Sequence, residues 1–563
     1  MKEQIVLNLQ QVLQELDITD VVVEIEQPKD TDHGDFSSNV ALVVGKVLKR
    51  DPRELAEEIA RNMEYRIKNL EFLDKVEIAG PGFINFWVSN EVLFKNIQQI
   101  TAQKDEYGKS DVLKGKRVMV EFTDPNPFKE FHIGHLYSNT VGESLSRLFE
   151  ANGANVKRAN YQGDVGLHVA KALYGLNQKL KDAELTIKDL EEKPLKDRAK
   201  FLGEAYALGA NAYEENEEAK KEIAELNKKV FEKDASIQEL YEKGRQWTLD
   251  YFEEIYKRLG TKFDFYYFES VAGPIGLQLV LENLKKGIFE ESEGAVIFRG
   301  EKFGLHNRVF INSLGLPTYE AKELGLAPTK YKDFAYDTSV IVTGNEINEY
   351  FRVLLKALSL ISPDLAAKTT HISHGMVRLP SGKMSSRTGN VVTGESMLDE
   401  AKKRSEEKIE EVRKARKDDT KGEALAQNID EIIGVGAVKY ALLKNNIGKD
   451  VKFDFDEVVS FEGNSGPYLQ YTYVRTHSIL KKAGVKTYDF LVRTNLEKEE
   501  AEVVRHLLHF QDVIKRAAGE YSPNLIAAYL YELAQKFNLF YEKYQIIESE
   551  HTDFRLALTE ATG

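Results

Sequence analysis

Val118-Met119-Val120-Glu121-Phe122, the loop Thr123-Asp124-Pro125-Asn126-Pro127-Phe128-Lys129-Glu130-Phe131, and then His132-Ile133-Gly134-His135 form the stretch on which the fold turns. The apolar run is too short for a helix and reads as a buried strand. The prolines stop it from continuing. From 134 to 151 apolar residues recur at helical spacing, and Asn152-Gly153 ends the helix. A strand at 156–161 then completes a strand–helix–strand unit, which calls for parallel strands and a right-handed crossover. Strand signals return at 295–310 and at Ser339-Val340-Ile341-Val342, so the expected fold class is α/β with a Rossmann-type parallel sheet. The intervening residues, about 179–258, are rich in Lys, Glu and Ala and read as a helical insertion.

Outward from this core, residues 1–105 read as a small α+β domain. An amphipathic helix opens it, Val21-Val22-Val23-Glu24-Ile25 reads as a strand, 53–63 as a helix, and 76–88 as two strands joined by Gly80-Pro81-Gly82. The catalytic domain is expected over 117–434, and an all-helical domain over 435–563. A chain of 563 residues is too long for one core, and several domains follow from its size. No apolar stretch of about 18 residues occurs, so no membrane partner is expected. The absence of cysteine removes disulfides, thiolate nucleophiles and Cys-based metal sites, and suits a cytoplasmic location. With 77 Lys+Arg against 91 Asp+Glu the net charge is −14, which excludes a nonspecific RNA coat more than a specific RNA enzyme.

The chemistry concentrates in two motifs. His132 and His135 stand where a strand's loop enters a helix, and a helix N-terminus favours phosphate. Gly134 leaves room for a nucleotide, and two imidazoles there can donate to phosphate oxygens as charge builds. Taken alone, the pair could equally be half a metal site or structural histidines. Some 250 residues on, Lys383-Met384-Ser385-Ser386-Arg387 lies between Pro380-Ser381-Gly382 and Thr388-Gly389-Asn390. A lysine, hydroxyls and an arginine on a glycine-flanked loop suit a clamp on a triphosphate, although a basic loop by itself is more often solvated surface. Gly163-Asp164-Val165-Gly166 follows the second strand. There Asp164 is a candidate for a substrate hydroxyl or ammonium, with an ordinary turn as the alternative.

Together the two motifs resemble the HIGH and KMSKS sequences of class I aminoacyl-tRNA synthetases, and Pro125 through Leu136 is similar to the extended motif of the arginyl-tRNA synthetase family. Gly34-Asp35-Phe36-Ser37-Ser38-Asn39 and Ala79-Gly80-Pro81-Gly82-Phe83-Ile84-Asn85 resemble that family's N-terminal domain, which touches the tRNA elbow. Gly466-Pro467-Tyr468-Leu469-Gln470-Tyr471 and Phe537-Asn538-Leu539-Phe540-Tyr541 resemble its anticodon-binding domain. The resemblance implies an ATP-dependent ligation of arginine to tRNA through an adenylate, with Mg²⁺ accompanying ATP and tRNA needed for activation.

It assigns His132, His135, Lys383 and Lys129 to catalysis, and Gly134, His132, His135, Lys383, Ser385 and Ser386 to ATP. Glu121, Asn126, Tyr319, Glu323 and Asp164 are the candidates for arginine, whose guanidinium needs carboxylates in fork geometry. Glu323 stands where the family usually has aspartate, and the chain carries both Lys129 and Lys383 where many members rely on one. The family normally continues beyond Gly563, so the helical domain is expected to be either naturally short or truncated. A monomer is expected, with no dedicated protein metal site. Lysine-specific, non-catalytic and small-molecule nucleotidyltransferase readings are the alternatives.

Overall fold

The structure, a computed structural model, describes all residues except 29–32, 68–70, 381–392, 417–427, 485–486 and 494. Two compact units result, one built from Met1–Gly108, Leu469–Val513 and Tyr529–Gly563, the other from Lys109–Tyr468 and Ile514–Ala528.

In the first unit, β1 (Phe36–Ser38), β2 (Leu73–Ala79) and β3 (Phe83–Val88) form an antiparallel sheet in the order β1-β3-β2. Its apolar face shares one core with the C-terminal helices: Ile5, Phe86 and Phe94 belong to the same buried cluster as Val503, Leu507, Phe537 and Phe554. Phe94 stacks on Phe554 with ring centroids 4.6 Å apart. Val21–Ile25, expected as a strand, has no ladder. Val23 and Ile25 point into the core, and only Glu26 pairs with Ser37. Asp35 of the Gly34–Asn39 segment is a buried clasp. Its Oδ2 accepts from Val88 N at 2.7 Å and from the Arg505 guanidinium. Gly34 has φ +89, and a Cβ there would sit 2.7 Å from the Phe86 carbonyl oxygen. Only glycine fits both demands.

The second unit contains five parallel strands: β4 (Arg117–Glu121), β5 (Asn155–Gln162), β6 (Phe265–Phe268) and, after an antiparallel sheet of β7 (Glu290–Ser292), β8 (Ala295–Phe298) and β9 (Arg308–Ile311), β10 (Thr338–Gly344) and β11 (Thr369–His374). Their order is β11-β10-β4-β5-β6. The chain runs from β4 to one side and returns to the other, with Glu121 facing Ala159 on β5 and Ile341 on β10. That reversal opens a crevice at the carboxyl ends of β4 and β10, where open α/β sheets bind ligands. The helices Leu167–Asp182, Ile187–Glu191, Leu195–Glu215, Glu217–Glu232 and Gln238–Leu259 fill the stretch between β5 and β6. They have a core of their own around Leu173, Leu202, Ile223 and Trp247.

Helices Glu269–Leu284 and Tyr319–Asp333 cross almost backbone to backbone. A Cβ on Gly276 would lie 1.7 Å from Ala321 O, and one on Gly325 would lie 2.1 Å from Ala272 O. Gly276→Val must push the helices apart and should destabilise this unit by about 3 kcal/mol or more. Because the second helix carries Tyr319, Glu323 and Lys330, any folded fraction should lose ligand affinity too. Chemical denaturation checks the first effect. A loss below about 1 kcal/mol would mean the crossing is looser than described.

Candidate active site

The loop from β4 to the helix Ile133–Ala151 is bent by three non-glycine residues with positive φ: Thr123 (81°), Asp124 (47°) and Phe128 (67°). Such conformations persist only where the surroundings over-determine them. Here Thr123 N donates to Ser138 Oγ (2.9 Å), Asp124 Oδ1 accepts from Tyr161 N (2.8 Å), and Phe128 N donates to Thr248 Oγ1 (3.2 Å). The strain delivers His132 to the N-cap of the helix. Its Nδ1 accepts from the backbone N–H of Gly134 (3.1 Å) and of His135 (3.3 Å), while His135 Nδ1 accepts from His132 N (3.3 Å).

Both Nδ1 atoms are therefore acceptors, which puts the proton of each neutral ring on Nε2. The rings stack with centroids 3.5 Å apart. Burial, then the charges of Lys129 and His374, lowers His132 to about 4. Burial and the neighbouring His132 take His135 well below the ordinary imidazole value. The site thus presents two neutral N–H donors rather than two cations. A side chain at Gly134 would press on the His132 ring at 3.0 Å. Lys129 Nζ lies 4.7 Å from the centre of the Tyr206 ring.

Lys383, Ser385 and Ser386 lie outside the described residues. The first described residues after that segment do reach the histidine motif: Thr393 pairs with His132, and Gly394 N donates to Phe131 O at 2.6 Å. Glu395 is held by Lys196 (2.9 Å) and by the Tyr251 hydroxyl (2.8 Å).

The acidic candidates converge at the crevice. Glu121 ends β4, fully buried, with its Oε2 2.5 Å from Lys330 Nζ. Asp124 is raised well above the usual carboxylate range by burial and then by Glu121. Glu323 is raised to about 8 by the same two causes, with Lys330 opposing. Three carboxylates share one ammonium. A second buried pair, Lys322 with Glu269, stands beside them. Asn126 Oδ1 accepts from Gly163 N (3.1 Å), locking the loop to the turn after β5. Tyr319 is 52% exposed, and its hydroxyl lies 3.4 Å from His168 Nδ1.

Asp164 is placed differently. It is buried, and its carboxylate accepts from Ser270 N (2.8 Å), Ser270 Oγ (2.7 Å), Arg245 Nε (3.1 Å) and the Tyr241 hydroxyl (3.4 Å). Four protein donors occupy it, so its geometry is that of an anchor between the turn and helix Gln238–Leu259 rather than of a substrate ligand.

His168, Lys322, Lys330 and Glu269 escaped the sequence reading. The signal for Lys330 was there: buried positions of helix Tyr319–Asp333 recur at Ala321, Leu324 and Ala327, and Lys330 continues that stripe.

A parallel sheet whose first crossover helix opens on paired histidines, beside an acidic crevice at the strand reversal, defines a nucleotide-binding domain of the class I synthetase kind. The profile for class I tRNA synthetases (R), catalytic domain, matches residues 96–455; that for the arginyl tRNA synthetase N terminal domain matches 3–88, and that for the DALR anticodon binding domain matches 469–563. The arginine–tRNA ligase of Borreliella afzelii is 33% identical, covering 96% of this chain and 91% of its own. That of Clostridium acetobutylicum is 32% identical, covering 98% and 94%. The Thermus thermophilus arginyl-tRNA synthetase structure superposes with a TM-score of 0.79 at 22% identity, over 100% of this chain and 97% of that one. The chain belongs to the class I arginyl-tRNA synthetase family.

Proposed function

We propose that the chain ligates arginine to its cognate tRNA in two steps at the crevice beside His132 and His135. An arginine carboxylate oxygen attacks the α-phosphorus of ATP, the bond to the β-phosphate breaks, and pyrophosphate leaves. The 2′-hydroxyl of the terminal tRNA adenosine then attacks the arginyl carbonyl, and AMP leaves. His132 and His135 donate through Nε2 to phosphate oxygens, and Lys129 and Lys383 add positive charge as the transition state forms. Ser385 and Ser386 complete the phosphate contacts, and Gly134 lets the nucleotide approach.

Mg²⁺ would accompany ATP on its phosphate oxygens and would add positive charge there as pyrophosphate leaves. We place the tRNA contacts in residues 1–105, at the elbow, and in residues 435–563, at the anticodon. We assign the enzyme to the cytoplasm as a monomer. A chain without cysteine suits a reducing compartment, and no described helix is long and apolar enough to cross a membrane.

The observation that carries this reading is the charge imbalance of Glu121, Asp124 and Glu323 against Lys330. A crevice so built favours a cationic side chain and disfavours an aliphatic or anionic one. Glu121, Asn126, Tyr319 and Glu323 are the proposed arginine contacts. Asp164 anchors the turn behind them. The test is tRNA charging with a panel of amino acids. Arginine should be attached, and lysine, whose point charge cannot engage two carboxylates in a planar fork, should not. Equal charging with lysine would overturn the assignment.

The raised Glu323 makes a further prediction. Its carboxyl, at about 8 in the free protein, is mostly protonated at pH 7. An incoming guanidinium favours the ionised form, so binding must release a proton. Arginine affinity should therefore rise with pH, by up to about tenfold per unit below 8, and level off above it. Calorimetry in buffers of different ionisation enthalpy reads the proton directly. An affinity independent of pH between 6.5 and 8.5, where a rise of about 25-fold is expected, would contradict it.

A further inference from the structure

One histidine of the crevice remains without a task. His374 ends β11 beside Gly344 of β10 and is 3% exposed. Its ring packs on Tyr137 of the helix Ile133–Ala151, with centroids 4.4 Å apart. It lies close enough to His132 and His135 for its charge to bear on both. His374 Nδ1 stands 2.8 Å from Gly375 O. A carbonyl only accepts, so Nδ1 carries the proton and Nε2 is left with a lone pair. That Nε2 is buried and has no hydrogen-bond partner among the described residues.

Leaving a buried polar atom unpaired costs about 1–3 kcal/mol, and such atoms call for a reason. Burial lowers the proton affinity of the ring, with Gly375 O and Glu346 opposing. A neutral ring with its proton on Nδ1 can only accept at Nε2. Phosphate oxygens are acceptors themselves, so the partner must carry N–H or O–H.

We propose that His374 Nε2 accepts a hydrogen bond from the nucleoside end of ATP, from either the exocyclic amine of adenine or a ribose hydroxyl, and so sets the nucleotide against His132 and His135. The division of labour is chemical. His132 and His135 donate and take the phosphates, whereas His374 accepts and takes the nucleoside. This rests on the reading that ATP is consumed here.

The test is arginine-dependent exchange of pyrophosphate into ATP, with tRNA present, using four nucleotides: ATP, the triphosphate of purine riboside (which lacks the 6-amino group), 2′-deoxyATP and 3′-deoxyATP. In the unaltered protein the analogue without the partnered donor should lose about 10- to 100-fold in kcat/KM. In His374→Phe, ATP itself should fall by the same factor, and discrimination against that one analogue should vanish while the other ratios stand. Which analogue behaves so tells amine from hydroxyl. His374→Gln, whose amide oxygen can accept, should keep part of the discrimination, and it serves if the phenylalanine variant folds poorly.

A common loss for all four nucleotides in both variants would make His374 a packing residue and overturn the proposal. So would an unaltered protein that tolerates every analogue. Exchange that is absent even with ATP would overturn the ATP reading beneath it, and the proposal with it.

Discussion

Lys330→Met should destabilise the unit that holds the parallel sheet by about 3–5 kcal/mol, because it leaves Glu121 buried without its counter-charge. The side chains of Lys330 and Glu121 are each only 2% exposed, so solvent cannot take over the role. Burial opposes the lysine's charge, yet Glu121, Tyr336 and Glu323 raise its proton affinity above the ordinary value. The ammonium is thus held in place by the acids it neutralises. The chain has two tryptophans, and Trp247 is buried in this unit. Urea unfolding followed by Trp247 fluorescence in a Trp87→Phe background therefore reports on this unit alone. Adding Glu121→Leu to Lys330→Met should recover much of the loss, since an apolar pair needs no charge compensation. A loss below about 1 kcal/mol in the single variant would show that Glu121 is not held by the pair described.

The second large effect is on rate. His132→Asn keeps an oxygen at the N-cap, so the helix should retain its stability to within about 1 kcal/mol. The proposed phosphate donor at Nε2 is lost, because the shorter asparagine amide carries its N–H groups no farther than the Nδ1 position, and activation should slow by about 10²–10³-fold in kcat, as expected for a transition-state donor. The KM for arginine should change little, because the contacts proposed for the ring are with the phosphates and not with the amino acid. His135→Ala should show a comparable loss. Its effect should not add to the first, since the two rings fix each other's tautomer through His132 N and the N–H of His135. A variant that loses arginine affinity and rate together would place His132 elsewhere in the reaction.

Much of this was legible before any coordinates. Val118–Phe122 and the helix after Gly134 carry local periodicity, and periodicity is what fixes a strand or a helix. Glu121 could be read as the last residue of a strand, hence at the carboxyl edge where ligands bind. What the sequence withheld is long-range. Nothing near Phe94 announces Phe554, so the common core of the N-terminal sheet and the C-terminal helices stayed hidden. Asp35 stands in a stretch that resembles the family's N-terminal domain, but its partner Arg505 is 470 positions away. The anchoring of Asp164 was hidden for the same reason: its partner Arg245 comes from helix Gln238–Leu259 and its partner Ser270 from helix Glu269–Leu284, beyond β6. Val21–Ile25 has the composition of a strand, but composition does not supply a neighbour to pair with. Glu323 could be placed by its motif, yet its raised proton affinity depends on Glu121 and on burial, neither of which spacing reveals.

We propose that an acidic crevice at the strand reversal takes arginine while the paired histidines take the phosphates of ATP. This is tested most directly by exchange of labelled pyrophosphate into ATP, measured with arginine or lysine and with or without cognate tRNA. Exchange is expected with arginine only, dependent on tRNA and reduced by about 10²–10³-fold in His132→Asn. Exchange driven equally by lysine, or undiminished in the His132 variant, would contradict it.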